Sequence, residues 1–201
     1  ENRGKRRRAR KPEQDPATAA PAIAQMAQNT PMPTPPFPRH WSSLKTPDFT
    51  KLDLARCIAV LPVAATEQHG PHLPLNVDAT LVDGVVDAAL PHLPAAQPVL
   101  FLPTQAVGFS PEHTRFAGTL TLKAETVIRL WTELAESVAQ AGIKKLVLLN
   151  SHGGQVGLLD VVAQAAKSGS ACGRTPGSAG SPMIDAMPTT FQREPSTLMR
   201  G

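Results

Sequence analysis

Between residues 57 and 167, short and almost wholly apolar runs alternate with longer segments whose apolar residues recur at helical spacing. "CIAVLPVAA" (57–65), "PVLFLPTQAVG" (98–108) and "KKLVLLN" (144–150) have strand length and no polar alternation. "ATLVDGVVDAAL" (79–90), "KAETVIRLWTELAESVAQAG" (123–142) and "QVGLLDVVAQAAK" (155–167) read as helices. In the second of these, Val127, Leu130, Trp131, Leu134 and Val138 share a face, and Gly142 supplies a C-terminal stop. Strands apolar on both sides, interleaved with amphipathic helices, predict an α/β domain with a mostly parallel sheet covered on both faces. Such sheets collect ligands at the carboxyl ends of their strands. Glu67, His69 and His152 all follow predicted strand ends.

The flanks have a different character. Residues 1–40 lack apolar periodicity and are broken by proline, so they are expected to be a disordered, basic and Pro-rich segment. Met26 would make a natural start for the ordered protein. Residues 168–201 are Gly-, Ser- and Pro-rich and are expected to form a disordered tail. The organised domain is expected over 41–167, incomplete at its C-terminus.

Charge follows the same division. Of a net +4, residues 1–11 carry +6, so the remainder sums to −2. The basicity belongs to a solvated arm, and the absence of Tyr removes much of the stacking surface that nucleic-acid binding would use. No window approaches the ~18 to 20 consecutive apolar residues of a membrane span. Two isolated cysteines, Cys57 and Cys172, form no disulfide framework and fit a reducing compartment. A soluble cytoplasmic protein is therefore expected, without nucleic-acid or membrane partners.

The polar stretch "ATEQHGPHLPLNVDAT" (65–80) bears the chemistry. In extended backbone Glu67 and His69 project to the same side while Gln68 turns away. A Pro/Gly-rich turn can return Asp78 to them from the start of the following helix. Two carboxylates, an imidazole and no nearby thiolate suit Zn2+ or Mn2+, and His152 in "NSHGG" could add a second nitrogen. The bland alternatives are concrete. Asp78 is also a candidate N-cap, His72 reads as an ordinary loop histidine, and "NSHGG" could be a turn that binds phosphate at a helix start.

Three motifs in order resemble one family. "LPVAATEQHGPHLPLNVDAT" is similar to the opening signature of the creatininase (creatinine amidohydrolase) family, "GFSPEHTRFAGTLTL" (108–122) to its second, and "LLNSHGGQ" to its third. The resemblance covers roughly 41–167. It implies a three-layer αβα fold, a homo-oligomer (a hexamer in the family), and a two-metal site hydrolysing a non-peptide or cyclic amide C–N bond of a small molecule. By resemblance, Glu67, Asp78 and His152 would hold one metal, and His69 with the shared Asp78 the other. Two cations bridged by a carboxylate would activate water and polarise the amide carbonyl. Glu112 and His113 would lie near the pocket, without an assigned chemical role.

Departures from the pattern shape the expectation. Gly154 stands where creatinine-hydrolysing members carry a glutamate, which points away from creatinine as substrate. Ser151 and Gln155 replace the usual glycine and asparagine. The family's late H-A-G-x-x-E-T-S motif has no counterpart after Lys167, so the chain reads as truncated or frame-shifted there. A non-catalytic remnant, or a phosphate-binding α/β module, are the competing readings.

Overall fold

A computed structural model describes residues 37–168 and 185–190. In chain order the elements are a one-turn helix α1 (Thr46–Phe49), β1 (Ile58–Val63), α2 (Val77–Ala89), β2 (Val99–Phe101), α3 (Ala124–Gln140), β3 (Lys145–Asn150), α4 (Val156–Ser168) and β4 (Asp185–Thr190). Short 3-10 turns at Pro111–His113 and Gly153–Gln155 lie in the loops that build the site.

The strands form one parallel sheet in the order β2-β1-β3-β4. Ile58 pairs with both Val99 and Lys145, and the β1–β3 register runs to Val63 opposite Asn150. Side-chain alternation divides the apolar residues between two faces. Ala59, Leu61, Val63, Leu100, Leu146 and Leu148 join Trp131, Val127 and Val138 of α3 and Leu159 and Val162 of α4 in the larger core. Val60, Val99 and Phe101 pack with Val86 of α2 on the opposite side. Ala64 packs with Ala79 and Val82 there. The result is the predicted helix–sheet–helix layering. Trp131 is fully buried at its centre.

The sequence-derived elements shift in specific places. The run 98–108 yields only the three residues of β2, because Pro103 has no N–H to continue the ladder; beyond it the chain meets β1 again only at a bridge between Val63 and Gln105. α2 begins two residues earlier than its predicted range.

At the N-terminal flank, residues 37–40 are part of the structure, whereas 1–40 was expected to be disordered. The Phe101 N–H donates to the Arg39 carbonyl at 2.8 Å, covering the outer edge of β2. The buried Arg39 guanidinium donates to the carbonyls of Pro94 (2.8 Å) and Gln97. Residues 1–36 lie outside the described residues.

The expectation of a disordered 168–201 tail is likewise corrected at 185–190. β4 pairs in parallel with β3 from Lys145↔Asp185 to Asn150↔Thr190, satisfying a strand edge that β3 would otherwise expose. Its Pro188 lacks an N–H, which a strand bordering one neighbour tolerates. The rest of that segment lies outside the described residues. Among the described residues, no helix is long and apolar enough to cross a membrane.

Candidate metal centre

The connection leaving β1 leads to β2 on one side, and β3 pairs on the other side. The carboxyl ends of β1 and β3 therefore flank the point where the sheet order reverses, the usual position of a ligand crevice. Glu67 and His69 follow the first of these ends and His152 the second. The loop after β1 is held in place by Glu67 N–H donating to the Leu75 carbonyl (3.0 Å), and it turns at Gly70, whose φ of +80° glycine adopts without strain. That turn brings Asp78 back at the second position of α2. Asp78 is not the N-cap, which is Asn76. Its negative charge in the first helical turn still complements the helix dipole.

A second clamp comes from β3. The Ser151 hydroxyl lies 2.8 Å from the Asp78 carbonyl and 3.3 Å from that of Val63, and Ser151 N–H donates to Val63 O at 3.1 Å. The fully buried Gln155 amide donates to Asn150 Oδ1 (2.8 Å) and the Ala64 carbonyl (3.3 Å), while its Oε1 accepts from Phe109 N–H. Gly108 is required beside it, since a Cβ there would fall 2.1 Å from Gln155 Oε1 and 2.4 Å from Ala64 O. Asn150, Ser151 and Gln155 thus lock three loops together. Sequence inspection treated Ser151 and Gln155 merely as mild departures from a motif.

These clamps gather Glu67, His69, Asp78 and His152. Asp78 Oδ1 is 3.2 Å from His69 Nε2, and Asp78 Oδ2 is 3.2 Å from His152 Nδ1. Glu67 Oε1 is 3.4 Å from His152 Nδ1 and 4.0 Å from His69 Nε2. Glu67, Asp78 and His152 are each no more than 5% exposed. Glu112 and His113 join the same cluster: Glu112 Oε1 is 3.7 Å from His152 Nε2, and His113 Nε2 is 3.6 Å from Glu67 Oε1. His72 stays exposed on the loop, as an ordinary loop histidine should.

Backbone carbonyls determine which ring nitrogens are free. A carbonyl can only accept, so His152 Nε2–H donates to Phe109 O (3.0 Å) and His69 Nδ1–H to Glu67 O (3.1 Å). Each histidine therefore turns its remaining nitrogen toward the carboxylates. A lone pair facing carboxylate oxygens at 3.2 Å is repulsive unless a positive charge lies there, either a proton or a cation. Burial opposes charging His152, but Asp78 beside Nδ1, the charges of Glu67 and Asp78, and the bond to Phe109 outweigh it, so its titration is raised. Glu67 Oε2 and Asp78 Oδ2 are buried without a hydrogen-bond partner. Orphaned carboxylate oxygens beside histidines fixed by the Glu67 and Phe109 backbone carbonyls fit a divalent cation.

Gln68 does not turn away into solvent. Its Oε1 accepts from Gly70 N–H (2.9 Å), which leaves its amide nitrogen to donate to His113 Nδ1 (2.9 Å). The neutral His113 ring then carries its proton on Nε2, facing Glu67.

The profile of the creatininase family, described as creatinine amidohydrolase, matches residues 42–196. The chain belongs to the creatininase family. That match runs past the 41–167 range of the motifs and takes in β4. A mycofactocin precursor peptide peptidase of Mycobacterium tuberculosis is 46% identical over 106 residues, covering 50% of this chain and 42% of that protein. A creatininase mutant of Zn-Zn type superposes with a TM-score of 0.58 at 21% identity, covering 76% of this chain and 58% of the other. A manganese creatininase gives 0.54 at 18% identity, with the same coverage. The chain spans about half the length of the curated relatives it matches.

Proposed function

We propose that this creatininase-family chain carries the metal-binding part of a metal-dependent amidohydrolase. The observation that carries the reading is the pair of histidines, each fixed by a backbone carbonyl and each presenting its free nitrogen to Asp78 and Glu67. Glu67, His69, Asp78 and His152 would hold divalent metal, Zn2+ or Mn2+, the ions named for the similar solved structures. When bound, such ions lower the pKa of a water and polarise a carbonyl oxygen. His113 holds a proton on Nε2 at the edge of the cluster, where it can donate to a substrate oxygen or leaving nitrogen. Gln68 keeps that proton on the correct atom.

The substrate is an amide C–N bond. Family resemblance favours a non-peptide or cyclic amide other than creatinine, whereas the mycofactocin relative is named for a peptide. Its 46% identity supports including short peptides in the class to be tried. Resemblance extends the proposal to a cytoplasmic homo-hexamer. A phosphate at the "SHGGQ" turn is disfavoured, because Glu67, Asp78 and Glu112 all stand within 4 Å of His152 ring nitrogens and would repel an anion.

The decisive experiment measures tightly held metal in the purified chain by plasma mass spectrometry after dialysis, alongside hydrolysis of formamides, cyclic amides and short peptides. Retained Zn or Mn that is lost in Glu67→Ala, with turnover of one of these classes, supports the proposal. Metal without turnover identifies a non-catalytic remnant. No retained metal, with Glu67→Ala indistinguishable from the parent, would sink the metal-centre reading.

A further inference from the structure

We propose that Ser110 is a positioning residue of the metal centre, its hydroxyl holding the His152 ring so that Nδ1 meets the cation. The inference rests on the metal-centre reading above and extends it to a side chain on the loop between β2 and α3. Ser110 is fully buried, and its Oγ lies 3.3 Å from His152 Nε2. That nitrogen carries the proton donated to the Phe109 carbonyl, so Ser110 Oγ is a second acceptor for the same N–H. Phe109 contributes through its backbone, whereas Ser110 contributes through a side chain that substitution can remove. Glu112 Oε1, at 3.7 Å on the same side of the ring, is beyond hydrogen-bonding distance.

The need for a second acceptor follows from what Nδ1 has to do. It stands 3.2 Å from Asp78 Oδ2 and 3.4 Å from Glu67 Oε1, and a cation among these atoms needs the Nδ1 lone pair aimed at it. Asn150 fixes the backbone of the histidine, its Oδ1 accepting from His152 N–H at 3.2 Å and its amide donating to His152 O. Backbone anchoring leaves the ring free to turn about its side-chain torsions, and one acceptor at Nε2 restricts only part of that rotation. Two acceptors from successive residues bracket the N–H and set the plane of the ring. Those acceptors are themselves tied. Ser110 N–H donates to Thr121 Oγ1 at 2.8 Å, Thr121 Oγ1 donates to the Leu122 carbonyl at 3.2 Å, and Leu122 N–H donates to the Gly108 carbonyl at 2.9 Å. Both limbs of the 108–122 loop are thereby joined beside Phe109 and Ser110. Gly154 completes the fit, since a Cβ there would lie 2.6 Å from His152 Nε2 and 3.1 Å from Cε1 and would crowd the ring.

Ser110→Ala in the full chain tests this, compared with the parent by Zn2+ affinity in a chelator competition and by 15N-histidine NMR of the zinc-loaded protein. Loss of the hydroxyl is expected to weaken binding of the cation that His152 serves about 10-fold, with the metal equivalents at saturating Zn2+ unchanged. In the NMR spectra the His152 Nε2–H proton should move upfield, because it loses an acceptor. The His69 Nδ1–H proton, bonded to the Glu67 carbonyl, should stay in place. A merely structural role would lower the urea midpoint without moving one histidine alone. Parental affinity in Ser110→Ala overturns the inference and leaves the metal centre intact. So does an affinity loss with the His152 resonance unmoved, or with both resonances moved alike. A parent chain that binds no Zn2+ overturns the metal-centre reading itself, and this inference with it.

Discussion

Nδ1 of His152 stands 3.2 Å from Oδ2 of Asp78, a buried carboxylate oxygen that takes part in no hydrogen bond. That approach is unfavourable while Nδ1 carries a bare lone pair, and favourable once a positive charge, a proton on His152 or a cation, lies between the two residues.

Asp78→Asn separates that role from ordinary stability. The substitution removes a buried negative charge but also a favourable charge at the start of α2, worth about 0.3–1 kcal/mol. The two effects oppose, so in the presence of chelator the variant should melt within about 1 kcal/mol of the parent. The stabilisation that added Zn2+ gives the parent, about 2.7 kcal/mol at a hundredfold excess over Kd, should disappear. Thermal melts with chelator and with metal measure both quantities. A variant badly destabilised in chelator and still stabilised by metal would mark Asp78 as structural.

His152 gives the site a pH signature. Despite its burial, the Asp78 and Glu67 carboxylates and the bond to Phe109 raise its titration above the ordinary histidine value. A raised folded-state value means that, in the metal-free chain, protonated His152 contributes stability fully present below about pH 6.5. That contribution is lost as pH rises through the raised value. Metal must displace the same proton. The melting increment produced by Zn2+ or Mn2+ is therefore expected to grow from about pH 5.5 to about pH 8. Melts in matched buffers check this, and an increment flat across that range would show that His152 is not a ligand.

Gln155 supports the centre from beneath. It is fully buried, and its amide links Ala64, Asn150 and Phe109. Gln155→Ala leaves those partners unsatisfied and a cavity in place of the amide, at a cost of about 2–4 kcal/mol. Urea unfolding of the metal-free chain should show a lower midpoint with a similar slope. Because Phe109 also accepts from His152, metal affinity should fall as well. Unchanged unfolding would mean that water replaces the amide without loss.

The layering of the fold was legible because β1 and β3 are apolar on both sides and α3 carries one continuous apolar face. Glu67, His69, Asp78 and His152 were legible because strand ends and i, i+2 spacing are local properties. β4 was not: "DAMPTT" is short and contains a proline, and it becomes a strand only through the edge that β3 offers. The approach of Glu112 to His152 was hidden for a related reason, since it depends on a side chain that is missing from residue 154 and on the course of a loop from another part of the chain. The hydrogen-bond role of Gln68 was hidden as well. An alternating pattern turns it outward, but the chain has left β1 by that point and the Gly70 turn redirects it.

That redirection supports the last prediction. Gly70 N–H fixes Gln68 Oε1 as acceptor, and the Gln68 amide then fixes His113 Nδ1 as acceptor, so the ring proton rests on Nε2, 3.6 Å from Glu67 Oε1. Gln68→Ala removes the tautomer lock without touching any carboxylate. In 15N-histidine NMR at neutral pH, the parent should show a single Nε2–H tautomer for His113, and the variant a mixture. Metal content should be unchanged, since His113 holds its proton on the nitrogen that faces Glu67. On whichever amide the parent hydrolyses, kcat is expected to fall about 10- to 100-fold, toward the loss of a positioned proton donor, with KM little altered. Rescue by Gln68→Asn is not expected, because the shorter side chain cannot span from Gly70 to His113. A Gln68→Ala variant with parental kcat and a clean Nε2–H tautomer would show that His113 is oriented by something other than Gln68.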